Sequence, residues 1–149
     1  MKSPEENLKN MDLHLPSLRP SVGSYVSCMR TGNLLFTAGQ GVDQFHGKVG
    51  KDLTTEEGYM AAQQSMLNLL AVVKDELGDL ERVNKVLKLL VMINSTEDFI
   101  EQPSVADGAS DLLEKVFLVK GQHARSAVGM AQLPNNTAIE IEMVIEIED

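Results

Sequence analysis

Tryptophan is absent from this chain of 149 residues, which has only two tyrosines, four phenylalanines and one cysteine. With Cys28 alone, the chain cannot form an intramolecular disulfide, and this suits a reducing compartment. We interpret the thiol as a small apolar group in a strand rather than a reactive one. Because aromatic residues are so few, the core must be built from aliphatic residues and from the eight methionines. The length is that of one domain able to bury such a core, so we assign residues 1–149 to a single domain.

Long apolar runs and clusters of basic residues are missing as well. No stretch approaches the roughly 20 apolar residues of a membrane helix, and residues 1–11 are polar and acidic, unlike a signal peptide. Lysine and arginine number 13 against 22 acidic residues, which gives a net charge of −9. Binding to a nucleic-acid backbone would call for a basic stripe. We therefore expect a cytoplasmic protein that binds neither membranes nor nucleic acid.

Capping signals and hydrophobic periodicity place the helices and strands. Ser3 with Glu6, and Thr54 with Glu57, have the spacing of capping boxes at helix starts, and Gly78 is placed to end the second helix. Residues 1–22 are predicted to be a short helix, to about Met11, followed by an irregular arm. The remaining predicted elements are a hairpin over 25–38, helices over 54–77 and 103–118, and strands over 83–93, 125–133 and 138–148.

This order, β-β-α-β-α-β-β, predicts an α+β fold with a mixed sheet and both main helices on one face. The last strand supports this arrangement, because isoleucines and Met143 alternate with residues that are mostly glutamate from position 139 to 148. Its apolar side should face the helices. The other face of the sheet must then meet water or a partner subunit.

Few patterns in the sequence suggest chemistry. His14, His46 and His123 are far apart and lack the spacing of metal ligands, so no metal site is predicted, and no GxSxG elbow indicates a serine hydrolase. Arg125 begins an otherwise apolar strand, and a guanidinium group matches a carboxylate with two hydrogen bonds. The alternative for Arg125 is a structural ion pair. The glycines that flank Gln40 permit either a close approach of backbone to a ligand or a plain chain reversal.

Several motifs resemble those of one known family. Residues 124–134 contain Ala-Arg-Ser, then Val, Ala and Leu-Pro, and Ile-Glu-Ile-Glu follows at 139–142. Further matches are Gly-Ser-Tyr-Val at 23–26, Gly-Asn at 32–33 leading to Thr-Ala-Gly-Gln at 37–40, Gln-Ser-x-Leu-Asn around 64–68, and Asp-Phe at 98–99. Together they resemble the RidA family (also called YjgF or L-PSP) over about residues 23–147.

This resemblance implies a chorismate-mutase-like fold in a homotrimer, with the three sheets packed into a central barrel and a cleft at each subunit boundary. It also implies hydrolysis of reactive 2-imino acids to 2-oxo acids and ammonia, with no cofactor. By position, Arg125 would hold the substrate carboxylate and Glu140 would orient or activate water. Tyr25, from a neighbouring subunit, would line the cleft, and the backbone near Gly39 and Ala127 would bind polar atoms of the substrate.

Some residues depart from the family pattern and point to a divergent subgroup. His123 stands where proline is usual, Ala127 where cysteine is frequent, and the segment 41–50 lacks a proline-rich stretch. For His123, a cleft role and a plain surface position both remain open. We expect an imine or enamine deaminase that acts on a small carboxylate metabolite, and the retained Glu140 favours this. The alternatives are a non-catalytic carboxylate-binding or regulatory trimer and an endoribonuclease or translation inhibitor, against which the net acidity counts.

Overall fold

The computed structural model describes residues 1–148, which form one five-stranded sheet and three α-helices. The helices are α1 (Pro4–Asn10), α2 (Thr55–Leu77) and α3 (Gln102–Phe117). The strands are β1 (Cys28–Thr31), β2 (Leu34–Thr37), β3 (Val83–Asn94), β4 (Ala124–Met130) and β5 (Ile139–Ile147), with short 3-10 turns at Leu80–Arg82, Leu118–Gly121 and Pro134–Asn136. The element order is the predicted one.

The strands lie in the order β1-β2-β5-β3-β4. Only β3 and β4 run parallel, and they are joined through α3, as a parallel pair requires a long crossover. All other neighbouring strands are antiparallel. The sheet is therefore mixed, with β5 in its centre and β4 at one edge, and the α+β fold class is confirmed.

Both capping boxes form as the sequence predicts. Thr54 accepts from the backbone of Glu57 and Glu57 accepts from the backbone of Thr54, and the pair at the start of α1 is arranged alike. Gly78 ends α2 with a left-handed conformation, φ +82°, which a glycine adopts without strain. These local signals fix the ends of α2, which therefore presents its whole apolar side to the sheet.

The core lies between the sheet and the two long helices. On β5 the residues at 139, 141, 143, 145 and 147 are almost fully buried, whereas the glutamates between them are exposed or half-buried. Gly108, a weak point for a helix by propensity alone, is explained by packing. A Cβ atom there would lie 2.0 Å from the carbonyl oxygen of Tyr59, so a side chain would force α2 and α3 apart.

Two predicted strand ends were wrong. The first strand begins at Cys28 rather than Tyr25, because the chain folds back there and the Tyr25 hydroxyl accepts from the backbone N–H of Val22. The fourth strand ends at Met130 rather than Leu133. Beyond Met130 the carbonyl of Ala131 accepts from the Lys48 ammonium group instead of continuing the ladder.

Cys28 lies in β1, partly buried and packed against the core. Burial, together with the nearby carboxylates of Glu76 and Asp75, raises the pKa of its thiol to about 11. The thiolate, which is the reactive form, is therefore scarce at neutral pH.

The sheet face turned away from the helices is here called the open face. It carries apolar side chains that the single chain leaves in solvent: Met29 is 64% exposed, Phe36 43% and Val128 40%. Glu140, Glu142 and Glu146 lie on the same face. No helix within residues 1–148 combines the length and apolar character needed to cross a bilayer.

Candidate functional site

A polar cleft of about 420 Å³ opens at the amino-terminal end of β5. Its walls come from four segments: the arm at 19–25, the loop at 38–43 after β2, the turn at 134–137, and Glu140 on β5, with His46 at the side. Three residues that the sequence nominated, Tyr25, Gly39 and Glu140, lie in this cleft. Apart from Glu140 on β5, these residues lie in loops and turns, so individual hydrogen bonds rather than a continuous ladder hold them.

Glu140 is the acidic group on the floor of the cleft. It lies opposite Met92 of β3, on the open face, and is half-buried. Among residues 1–148 no hydrogen-bond donor contacts its carboxylate. Burial raises the pKa of Glu140, the neighbouring Glu142 carboxylate raises it further, and the Arg19 guanidinium lowers it. A carboxylate of this kind is a suitable proton acceptor for a water molecule in the cleft.

Gly39 makes room for that carboxylate. A Cβ atom at position 39 would lie 2.7 Å from Oε2 of Glu140 and 2.9 Å from its Cδ. The backbone of the loop therefore touches the acid directly, and any side chain at position 39 would push the carboxylate aside. The close approach at Gly39 is to the Glu140 side chain of the same chain, and an approach of this backbone to a ligand stays a prediction.

Arg19 is the cation of the cleft, and no sequence pattern nominated it. Its Nε and Nη2 donate to the two carboxylate oxygens of Asp43, at 3.2 and 2.9 Å, and its Nη1 donates to the carbonyl of Gly41 at 3.1 Å. Arg19 thus ties the arm to the loop. The partners are 24 residues apart in an irregular region, so no spacing rule could have linked them.

Tyr25 reaches the cleft of its own chain. Its hydroxyl group is held by the backbone N–H of Val22 at 3.2 Å, and about half of the residue is exposed. The resemblance implied that Tyr25 would come from a neighbouring subunit. Within one chain Tyr25 lines the same cleft as Glu140, and its position relative to Arg125 of another subunit stays a prediction.

Arg125 lies elsewhere, on the helix face of β4. It pairs with Leu89 of β3, which is fully buried, and its side chain turns toward the first half of α3. Nη1 donates to Oδ1 of Asp107 at 2.8 Å and to Oγ of Ser110 at 2.9 Å, and Nη2 donates to the carbonyl of Pro103 at 3.1 Å. The structural ion pair considered for this residue is therefore present.

The ion pair and its neighbouring contacts do not use all the hydrogen-bond donors of the Arg125 guanidinium group. Arginine has five N–H donors, and three hydrogen bonds to Arg125 come from residues 1–148. Nε–H and one N–H of Nη2 have no acceptor among those residues. These two donors form one edge of the guanidinium plane when Pro103 takes the outer hydrogen of Nη2, and such an edge can hold a carboxylate with two hydrogen bonds. The side chain of Arg125 is 22% exposed, so part of it is accessible to solvent and ligands.

Arg125 and Glu140 cannot meet within one chain. Arg125 shares the helix face with Ala127, which is partly buried opposite Val91, whereas Glu140 lies on the open face. The rows that contain Arg125 and Glu140 are also three residues apart on β3, at Leu89 and Met92. The five nominated residues therefore divide into a cleft group and an edge-strand group.

The histidines fall in three different surroundings. His14 is exposed in the arm, and His46 contacts the carbonyls of Asp43 and Asn135 at the cleft. His123 is half-buried, with Nε2 2.8 Å from Oγ of Ser110 and Nδ1 2.6 Å from the carbonyl oxygen of Gly121. Within residues 1–148 no three histidine, cysteine or acidic side chains converge as metal ligands would.

Comparison with known proteins agrees with the fold and the motifs. A family model described as YjgF/chorismate mutase-like, with candidate endoribonucleases among its members, matches residues 5–147. The chain belongs to this family. Protein TCP17 of Trypanosoma cruzi is 39% identical over 149 residues, covering 96% of this chain and 93% of that protein. A 2-iminobutanoate/2-iminopropanoate deaminase of Dermatophagoides farinae is 29% identical over 132 residues, covering 85% of this chain and 88% of the relative.

The YjgF fold is also shared with a solved structure from Agrobacterium tumefaciens, a protein of unknown function. It superposes with a TM-score of 0.92 at 38% identity and covers 97% of this chain and 92% of its own. The match includes nearly the whole chain.

Proposed function

We propose that this member of the YjgF family is a deaminase that hydrolyses reactive 2-imino or enamine acids to 2-oxo acids and ammonia. The observation that carries the proposal is the half-buried carboxylate of Glu140 in a polar cleft, free of hydrogen-bond donors from residues 1–148 and backed by Gly39. The deaminase relative supports the reaction class. Glu140 has the placement that a general base needs, and the cleft has room for a small metabolite.

The reaction needs few catalytic groups from the protein, because an imine carbon is already electrophilic. Ionised Glu140 accepts a proton from water while the water oxygen forms a bond to the imine carbon and the C=N electron pair moves to nitrogen, which then receives that proton from Glu140. In the resulting carbinolamine, Glu140 accepts the hydroxyl proton as the C=O bond forms and passes it to the amine nitrogen, which leaves as ammonia. Water is consumed and Glu140 returns to its ionised form, so no redox partner is required. Positioning and one proton shuttle supply the catalysis.

The substrate carboxylate needs a cation with free donors. Arg19 has four of its five donors near acceptors of the loop and Asp43, so it serves to build the cleft. Arg125 has two N–H groups without an acceptor among residues 1–148 and is held by three acceptors on α3. Because Arg125 and Glu140 lie on opposite faces of the sheet, we propose that the site joins the Arg125 edge of one copy to the Glu140 cleft of the next in a trimer.

Subunit mixing tests both the residues and the shared site. Arg125→Ala and Glu140→Gln chains, each with its own tag, are co-expressed, and oligomers that carry both tags are isolated. Activity is measured as 2-oxo acid release while an amino-acid oxidase generates the imino acid. We expect each parent variant to lose activity by about 10²- to 10⁴-fold, typical of removing a general base or an anchor.

The mixed trimer has a characteristic expected activity. In a ring of three chains that contains both variants, one junction pairs an intact Glu140 with an intact Arg125, so about one third of the wild-type activity should return. Mixed trimers as inactive as their parents would show that the two residues do not act across a junction. Full activity of Glu140→Gln alone would remove it as the base, and binding of a 2-oxo acid without turnover by the wild type would identify a carboxylate-binding protein instead.

A further inference from the structure

We infer that Ser110 and His123 are positioning residues that fix the guanidinium of Arg125 with its free edge toward the substrate carboxylate. The inference rests on the proposed function and deepens it by naming what orients the anion-binding group. It starts from the hydrogen-bonded chain Gly121–His123–Ser110–Arg125, which connects the turn before β4 to the side of α3.

The chemistry of each group sets the direction of this chain. The Gly121 carbonyl can only accept, and it lies 2.6 Å from Nδ1 of His123, so Nδ1 carries a hydrogen. In the tautomer with its single ring hydrogen on Nδ1, Nε2 is an acceptor, and it lies 2.8 Å from Oγ of Ser110. The Ser110 hydroxyl group therefore donates its hydrogen to His123.

The contact with Arg125 is compatible with this direction. Arg125 can only donate, so Oγ of Ser110 must accept from its Nη1 at 2.9 Å. A helical serine without another acceptor commonly turns its hydroxyl hydrogen to the carbonyl of the preceding turn. Nε2 of His123 offers a better acceptor beside it and leaves the lone pairs of Oγ facing Arg125. His123 thus sets the orientation of Ser110, and Ser110 sets the orientation of Arg125.

Ser110 is the more buried of the two side chains that contact Arg125. Asp107 is half-exposed, and an ion pair at the surface contributes little to fixing a long side chain. The third acceptor, the Pro103 carbonyl, lies in the backbone of the first turn of α3. Ser110 is 9% exposed and packed in the middle of α3, so its hydroxyl group provides a fixed point. An anchor held in advance loses less conformational freedom when the ligand binds.

A purely local role for His123 would be to close the turn at Gly121. Two substitutions separate that role from positioning. His123→Asn places its amide N–H near the position of Nδ1, so it keeps a donor for the Gly121 carbonyl but does not reach Ser110. His123→Gln is one bond longer, and its amide oxygen can accept from Ser110 near the position of Nε2. Ser110→Ala removes the hydroxyl group itself.

The primary measurement is the kcat and KM of imine hydrolysis, with the Kd of a 2-oxo acid by calorimetry. We expect His123→Asn and Ser110→Ala to raise KM and Kd about tenfold with little change in kcat, the size of one hydrogen bond to a charged group. His123→Gln should stay within about threefold of the wild type. His14→Asn and Ser104→Ala, at exposed positions, are the matched controls. If His123→Gln is as impaired as His123→Asn, or if both bind normally, the inference fails.

A second measurement does not depend on the proposed function. The heteronuclear NOE of the Nε–H group of Arg125, assigned by comparison with Arg125→Lys, reports how rigidly the guanidinium is held. We expect a clear drop in His123→Asn and in Ser110→Ala, with recovery in His123→Gln. An unchanged NOE in both would overturn the inference. If the wild type neither binds 2-oxo acids nor hydrolyses imines, but the two variants show this drop in the NOE, only the proposed function is overturned.

Discussion

The two faces of the sheet differ in how completely one chain finishes them. On β2, Leu35 faces the helices and is fully buried, whereas its neighbour Phe36 faces away and is nearly half exposed. Removing apolar area from water is the main favourable term in folding. In a single chain this contribution comes from the face covered by the helices, whereas apolar side chains on the open face stay in solvent. Since the proposed anchor lies with the first face and the proposed base with the second, assembly and activity should be linked.

The largest expected effect comes from the helix face of the sheet. Leu35→Ala removes a fully buried side chain from the core between β2 and the helices, and a substitution of this kind costs about 2–5 kcal/mol of the free energy of unfolding. Urea denaturation followed by circular dichroism measures it. Leu18→Ala, at a half-exposed position in the arm, is the control and should cost about 1 kcal/mol or less. Equal costs at the two sites would contradict the assigned core.

A change on the open face should affect assembly instead of folding. Phe36→Lys exposes a charge that a free chain tolerates, but a charge is costly where that face is buried against another copy. We expect the mass by light scattering to fall from about 49 kDa, three chains of 16.3 kDa, to that of one chain, with loss of deaminase activity. Ile100→Lys, in an exposed loop, should keep the larger mass. A variant at Phe36 that keeps 49 kDa would place the interface elsewhere.

The helix face of the sheet was also the part of the molecule that the sequence predicted best. Alternation on β5 and the capping boxes of α1 and α2 are local signals, and they predicted which residues face the core. The cleft was accessible only in part. Family motifs nominated Tyr25, Gly39 and Glu140, which the structure brings together, but Arg19 enters through contacts between irregular segments that no periodicity describes.

The surroundings of Arg125 were beyond sequence reasoning for a different reason. Its contacts with Asp107 and Ser110 depend on how α3 lies across β4, and a shift of one residue in either element would separate these side chains. The same packing explains Gly108 within α3, where propensity argued against a helix. Tertiary register, more than local preference, decides which polar groups meet.

The smallest effect tests the base on the open face. Because the pKa of Glu140 is raised in the folded state, the native protein keeps its proton at pH values where the unfolded chain has lost it. The free energy of unfolding therefore falls as the pH rises from the unfolded pKa through the folded one, and it stays lower above that window. Glu140→Gln removes this penalty. We expect the variant to be more stable than the wild type at pH 7 and no more stable at pH 3.5.

Urea unfolding at the two pH values, at one fixed protein concentration, measures the difference. Glu97→Gln, in an exposed loop, changes the net charge by the same amount and is the matched control. An equal gain in both variants would attribute it to net charge rather than to burial of Glu140. A gain in the free energy of unfolding only at position 140, together with loss of turnover in that variant, would mean that the half-buried carboxylate needed for activity lowers the stability of the protein. Active sites commonly show this conflict between stability and activity. Here it would locate the site on the open face of the sheet.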